Sequence, residues 1–143
     1  MKKQSILALG LVGMVAVALL ANSTVRAQVT KGQTRPMLTK QLMKGIVAPN
    51  CGALKKALDA QPADDDAWEA IALHAALLNE ASYTLMVDGR CPDGTWATAA
   101  TQTLRQGSAD VLAAVEEKDL EAANTAFGNM TQACAACHEA HKK

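Results

Sequence analysis

Aromatic residues are scarce in this chain of 143 residues, which holds two Trp, one Tyr and one Phe. Stretches of β-branched residues are also few, whereas Ala and Leu are abundant and apolar positions recur at spacings of three and four. Strands favour aromatic and β-branched residues, and helices favour Ala and Leu. The composition therefore predicts an all-α protein and gives no indication of a sheet.

An excess of positive charge is also lacking. Lys and Arg together number 14, equal to the 14 Asp and Glu residues, and no basic stripe follows the predicted helices. Nucleic-acid-binding domains combine a basic surface with aromatic residues that stack on bases. Nucleic acid is therefore not expected as a partner. Internal repeats and low-complexity tails are missing as well, which is typical of a single domain.

The most specific motif lies near the end of the chain, where Cys134, Cys137 and His138 form C-x-x-C-H. Two thiols three positions apart lie on nearly the same side of a helix, so both can add as thioethers to the vinyl groups of one haem. The histidine that follows is then held where its imidazole can bind the iron. The motif predicts covalent haem c, with Cys134 and Cys137 as attachment residues and His138 as the proximal iron ligand.

Two other uses of a C-x-x-C pair fit the sequence less well. Thioredoxin-like pairs usually open a helix after a strand, whereas this pair lies at the end of a chain without predicted strands. Half of a zinc site needs a second half, but Cys51 and Cys91 stand alone in the sequence.

Residues 1–27 have the organisation of a cleaved secretory signal peptide. Lys2 and Lys3 precede an uncharged apolar run at 6–21, and Val25-Arg26-Ala27 presents small residues at the positions that a signal peptidase reads. The run is short for a membrane span of about 20 residues. Cleavage would leave a domain at 28–143 with 11 basic against 14 acidic residues. Because bacterial haem attachment to C-x-x-C-H takes place outside the cytoplasm, signal and motif together predict a periplasmic protein.

Four helices are predicted after the signal. We expect the first at 34–58 with a kink or break at Pro49, the second from a start near 62–66 to the Gly- and Pro-rich segment 88–94, and the third at 96–117. The fourth follows Asp119, and its inward stripe is expected to carry the haem motif to the core side. Short connections favour an antiparallel four-helix bundle with a C-terminal covalent haem site. The predicted core comprises Leu38, Leu42, Ile46, Trp68, Ile71, Leu78, Leu104, Leu112, Phe127 and Met130.

A four-helix pattern with C-x-x-C-H in its last helix resembles the class II c-type cytochromes, the cytochrome c′ group. Class I cytochromes c carry the motif near the N-terminus instead. In the class II pattern an aromatic and a basic residue often stand third and fourth after the haem histidine; here those positions hold His141 and Lys142. Lys142 keeps the pattern and His141 departs from it. We expect a solvated position for His141, with a hydrogen bond to a haem propionate as the functional alternative.

The resemblance also implies a distal position on the first helix. Class II proteins have a stretch similar to R-x-x-L-M-K, and residues 39–44 match it at Leu-Met-Lys, with Thr39 where arginine is usual. Met43 therefore maps to the sixth-ligand position. A thioether ligand there would make the iron six-coordinate and low-spin and would raise its potential. The alternative is that Met43 only fills core space beside Leu42.

Methionine at this position favours electron transfer between redox partner proteins over the other functions. The alternative is a five-coordinate protein that binds NO or CO in an apolar pocket formed by Leu42, Met43 and Ile46. Enzymatic turnover is not expected, because no His/Arg acid–base pair stands near Met43. Many bundles of this class dimerise through their first two helices, so the resemblance leaves a homodimer open.

Two further side-chain types need an assignment. His74 lies between apolar positions of the second helix, and we expect an ordinary packed histidine there.

Exported proteins often pair spare thiols, which makes Cys51 and Cys91 a potential disulfide. In a helical hairpin a rise of about 1.5 Å per residue would separate them by about 20 Å, beyond disulfide reach. Only the break at Pro49 could bring them together, so the pairing stays open with the hairpin geometry against it.

Overall fold

The computed structural model describes residues 32–142, in which every regular element is a helix. The predicted signal peptide at 1–27 lies outside these described residues. Four helices follow one another: α1 at 39–59 (segments Thr39–Leu42, Met43–Val47 and Ala48–Asp59), α2 at Asp65–Met86, α3 at 94–116 (segments Gly94–Thr98, Ala99–Arg105 and Gln106–Glu116), and α4 at Leu120–His141. The all-α prediction with four helices is confirmed.

Consecutive helices run antiparallel, as contacts between α2 and α3 show. The indole Nε1 of Trp96 donates to the carbonyl of Leu85 at 2.9 Å, and Asn79 Nδ2 donates to Ser108 Oγ at 3.1 Å. Positions rise along α3 while their partners fall along α2, which is the order of an antiparallel pair. α4 packs on α3, and α1 packs on α2 with a smaller contact to α4.

Aspartates start three of the four helices. Asp64, Asp93 and Asp119 each accept a hydrogen bond at 2.9 Å from the backbone N–H three residues later. Such N-caps satisfy helix N–H groups that have no partner within the helix. The predicted start of the second helix near 62–66 and the Asp119 start of the fourth are therefore confirmed.

Of the kink or break expected at Pro49, the break does not occur: α1 continues through this position, and the helix changes its geometry just before it. Residues Met43–Val47 form a π-helical segment immediately before it, in which Ala48 N–H donates to the carbonyl of Met43. Proline lacks an N–H, and its ring crowds the preceding turn of a helix. A wider π-helical turn gives the ring more space, so the helix continues. The Asn50 side chain also donates to the Ile46 carbonyl at 2.8 Å, which gives that carbonyl a partner.

The first helix begins at Thr39 rather than at the predicted Thr34, because the preceding residues are held elsewhere. Residues 32–38, the N-terminal strap, are not helical. Pro36 disfavours helical geometry at the residue before it. The Asp88 carboxylate also accepts hydrogen bonds from Thr34 N and Oγ1, both at 2.8 Å, and from Arg35 N at 3.0 Å. The strap is therefore fastened to the loop between α2 and α3.

Most of the predicted core is buried along the bundle axis. Gly107 allows α3 and α4 to approach closely, since a Cβ there would lie 2.7 Å from the Cβ of Met130. Three predicted core residues, Leu38, Ile46 and Leu112, are only half-buried. The confirmed ones are Leu42, Trp68, Ile71, Leu78, Leu104, Phe127 and Met130. In the described part of the chain, none of the helices combines the length and the apolar character needed to cross a membrane.

Candidate functional site

The C-x-x-C-H motif occupies the last two turns of α4, and its three functional residues differ in burial. Cys137 is 7% exposed, Cys134 is half-buried and His138 is exposed. Viewed along the axis of α4, the side-chain direction of Cys134 lies between those of Cys137 and His138. The directions of Cys137 and His138 differ by about 100°. A rotation that buries Cys137 therefore turns His138 outward. The prediction that the whole motif faces the core is wrong for His138.

Desolvation raises the pKa of the thiols at the site above the ordinary value of a cysteine. Burial raises the pKa of Cys134 to about 11, and the neighbouring Cys51 and Cys137 thiols raise it further. Burial also raises the pKa of Cys51 and of Cys137. The influence of Cys51 on Cys134 shows that α1 places a third thiol beside the motif. Cys51 and Cys91 are both free thiols, in agreement with the hairpin geometry.

An open groove of about 550 Å³ runs beside Cys137, between α3 and α4. Its volume lies within the range of about 300–1,000 Å³ that is usual for small-molecule sites. Its walls carry small side chains, which leave room against the helix backbones. They include Gly94, Thr95, Thr98 and Ala99 of α3, with Ala136 and Cys137 of α4.

Met43 lies in the π-helical segment of α1 and is half-buried. It packs against the same apolar core that includes Cys137. The contact between α1 and α4, however, runs chiefly through Ala48–Asp59, the segment that carries Cys51. The structure thus brings Cys51 next to the motif, and it places Met43 at the same end of the bundle, on a widened turn of the kind that is frequent at functional sites.

The imidazole of His138 is biased toward its neutral form. Desolvation lowers its pKa, and the positive charge of Lys142, one turn later on α4, lowers it further. A neutral imidazole has a free nitrogen lone pair, which is the form that binds iron.

His141 is enclosed rather than solvated, which overturns the first expectation for this residue. Its side chain is 8% exposed and meets the Trp96 ring edge-on, with ring centroids 5.4 Å apart. Its Nε2 lies 3.4 Å from Asp93 Oδ1 but makes no hydrogen bond. The same Asp93 oxygen already accepts from the Trp96 backbone N–H at 2.9 Å. The imidazole ring packs against Trp96 at a position where the class II pattern has an aromatic residue.

Arg90 is the residue that sequence reasoning missed. It lies in the 87–93 loop and is 1% exposed, although arginine is rarely buried so completely. Its Nη2 lies 3.8 Å from Asp88 Oδ2, while Nε and Nη1 have no hydrogen-bond partner. The only sequence signal was an arginine inside a Gly- and Pro-rich loop, and such a residue is usually a solvated one.

The buried polar atoms without partners are concentrated at this end of the bundle. Among the described residues there are three such side-chain atoms, two on Arg90 and one on His141. Buried polar groups in native proteins are nearly always hydrogen-bonded. Buried N–H groups without partners can donate hydrogen bonds to the oxygen atoms of a bound ligand. A haem has such oxygen atoms in its two propionate carboxylates. The thiols, the groove and these nitrogen atoms therefore fit a haem.

His74 has a structural partner, as expected for a packed histidine. Its Nδ1 lies 2.9 Å from Asn50 Oδ1, which joins α2 to α1.

Residues 32–142 contain no group of three or more His, Cys, Asp and Glu side chains arranged to hold a metal ion.

Comparisons with known proteins assign no family to the chain. No family model matches it, and neither the curated proteins nor the solved structures give a significant match.

Proposed function

We propose that this chain is an exported c-type cytochrome that transfers electrons through one covalently bound haem. Cys134 and Cys137 attach the haem and His138 is the proximal iron ligand. The observation that carries the proposal is the C-x-x-C-H motif in the last helix of a four-helix protein. The mature domain at 28–143 then works in the periplasm between redox partner proteins and turns over no substrate.

The surroundings of the motif support a bound haem. Both thiols lie on α4 within one turn, and the groove beside Cys137 is walled by small residues. His141 has a buried Nε2 without a hydrogen-bond partner, which is available to bond a haem propionate. A haem iron supplies a one-electron couple, and the protein tunes its potential through the axial ligands and through burial.

We propose Met43 as the residue that would bind the iron on the side opposite His138, and a thioether there would favour electron transfer over the binding of NO or CO. The test is the optical spectrum of the ferric and ferrous protein. The ferric form should be low-spin, with a weak sulfur-to-iron band toward the red end of the visible range. Met43→Leu should remove this band, lower the potential and open the iron to CO and NO.

Met37→Leu is a matched control, because Met37 is an exposed methionine on the N-terminal strap. This variant should keep the band and the potential of the unaltered protein. An unaltered protein that is already high-spin and binds CO readily would contradict ligation by Met43 and leave it as packing.

That result would favour the second candidate function, a gas-binding cytochrome with five-coordinate iron. The observation behind it is the apolar surroundings of the distal position: Leu42 is buried, and Met43 and Ile46 pack against the core. Such surroundings can hold NO or CO without offering a hydrogen bond.

The resemblance to class II cytochromes leaves a homodimer through the first two helices open. Leu73 and Leu77, one turn apart on α2, are large exposed apolar residues. Light scattering of the unaltered protein and of Leu73→Glu tests this pairing. A mass of one chain for the unaltered protein would exclude it.

A further inference from the structure

Arg90 sits beneath the N-terminal strap in a place with no access for solvent. Gly32 of the strap lies over it, and a Cβ at Gly32 would be 2.8 Å from Arg90 Nη2 and would overlap the Asp88 carboxylate. Only a residue without a side chain lets the strap close this far. The guanidinium is therefore held in a closed environment with two nitrogen atoms unpaired.

The carboxylates around Arg90 are committed to other donors. Asp88 accepts three hydrogen bonds from Thr34 and Arg35, and its distance of 3.8 Å from Arg90 Nη2 is too long for a fourth. Asp93 accepts from the Trp96 N–H, and its side chain is half exposed. The described part of the chain thus provides no acceptor for Arg90 Nε and Nη1, although a buried cation needs one.

Arg90 lies at the same end of the bundle as the haem-attachment thiols. Its loop leads directly into α3, whose first residues, Gly94 and Thr95, line the groove beside Cys137. Asp93 of that loop lies 3.4 Å from His141 on the last turn of α4. A haem attached here brings two carboxylates into this region, and the planar fork of arginine matches a carboxylate with two parallel N–H donors.

We propose that Arg90 is a positioning residue that binds a haem propionate through Nε and Nη1, an inference that rests on the proposed haem attachment. The bound carboxylate supplies the acceptors that Nε and Nη1 lack and fixes the orientation of the macrocycle relative to the 87–93 loop. A free carboxylate from solution has the same chemistry. We commit to the propionate because the groove beside Cys137 and the last turn of α4 lie at the same end of the bundle as the Arg90 loop.

The test uses resonance Raman spectra of the haem-loaded protein, since the bending modes of the propionates respond to hydrogen bonds. Arg90→Gln should shift a propionate mode to lower frequency, and Arg90→Lys should shift it less because one donor replaces the fork. Arg105→Gln is the matched control. Arg105 donates to Ser82 Oγ at 3.0 Å and lies 3.7 Å from the centroid of the Tyr83 ring, so it already has partners. Its replacement should leave the propionate modes unchanged.

A second measurement needs no variant and covers the case in which Arg90→Gln does not fold. In D2O the propionate mode of the unaltered protein should shift, because its donors are exchangeable N–H groups of a buried arginine. An unshifted mode would overturn the inference.

The remaining outcomes separate this inference from the proposed function. A loaded protein whose modes are the same in Arg90→Gln overturns the role of Arg90 and leaves haem attachment intact. If acetate stabilises the unaltered protein but not Arg90→Gln, Arg90 binds a free carboxylate. That result would overturn the assignment of a propionate to this site. A chain that takes up no haem overturns both proposals.

Discussion

At the end of the bundle formed by the 60–64 and 117–119 turns, every helix start and turn has partners within the chain. Asp64 and Asp119 cap α2 and α4, and Lys118 Nζ lies 2.6 Å from Asp65. At the opposite end, near the 87–93 loop and the last turns of α4, there are a groove, the buried thiol of Cys137, the half-buried thiols of Cys51 and Cys134, and buried nitrogen atoms without partners.

On the proposed function, the difference separates the parts of the chain that only stabilise the fold from those that would bind the haem. A helix end that satisfies itself contributes to stability in any state of the protein. Buried nitrogen atoms without partners lower the free energy of unfolding, and a ligand that supplies acceptors removes this cost. We therefore expect substitutions at the first end to change the free energy of unfolding, and substitutions at the second to change haem attachment and its electronic properties.

The largest effect should come from removing the attachment thiols. Replacing Cys134 and Cys137 together by Ala should abolish covalent haem, because no thioether can then form. Haem staining of denaturing gels measures this. Cys51→Ala is the matched control, since Cys51 lies beside Cys134 but outside the motif; it should keep the stain. Equal loss in the control would show that staining follows folding rather than attachment.

A large effect on stability is expected from Phe127, two turns into α4 from the self-satisfied end. Its side chain is 9% exposed, so Phe127→Ala should leave a cavity and lower the free energy of unfolding by about 3 kcal/mol. Denaturant titration followed by circular dichroism measures the change. Val87→Ala serves as the comparison, because Val87 lies outside the helices and is 46% exposed; we expect a loss of less than about 0.5 kcal/mol. Similar losses in the two variants would contradict the assigned core.

A smaller effect is expected at the α4 cap. Asp119→Ala removes the acceptor of the Ala122 N–H and should cost about 1 kcal/mol. Asp119→Asn keeps a side-chain oxygen and should stay close to the unaltered protein. The same denaturant titration compares the two. Haem staining should be unchanged in both, and a loss of stain would show that the two ends are coupled.

The smallest and most local effect concerns the strap. Hydrogen bonds from Thr34 and Arg35 and the charge of Arg90 hold the pKa of Asp88 below its usual range. A lowered folded-state pKa means that this contribution to stability is present above the unfolded value of about 3.9 and is lost as the pH falls through the folded value. Amide hydrogen exchange at Thr34 and Arg35 should therefore accelerate only in acid.

Asp88→Asn provides the control for the strap. Asparagine tolerates the positive φ of 64° at this position, but it has no charge to titrate. Its amide exchange should lose the acid-induced step. An acid-induced step of the same size in this variant would assign the effect to another group.

Local signals predicted much of the fold. The aspartates before α2 and α4 are N-cap residues that can be recognised from the sequence. The spacing of apolar residues at three and four positions located most of the core. Pro49 did not end the first helix, because the turn before it is π-helical and makes room for the proline ring. The start of α1 was placed too early because Asp88, more than fifty positions away, holds the strap.

The candidate site was predictable only as far as its motif extends. Cys134, Cys137 and His138 are adjacent in sequence, so their chemistry can be inferred without a fold. The outward direction of His138 depends on the rotation of α4, which is set by packing. The burial of His141 and Arg90 depends on Trp96 and on the strap, contacts between distant segments that no local pattern contains.

Haem attachment is tested most directly by the intact mass of the exported protein from cells that mature other c-type cytochromes. The account predicts one species with the mass of residues 28–143 plus one haem, still bound after denaturation and reduction. A species with the mass of the bare polypeptide and freely alkylated Cys134 and Cys137 would contradict it.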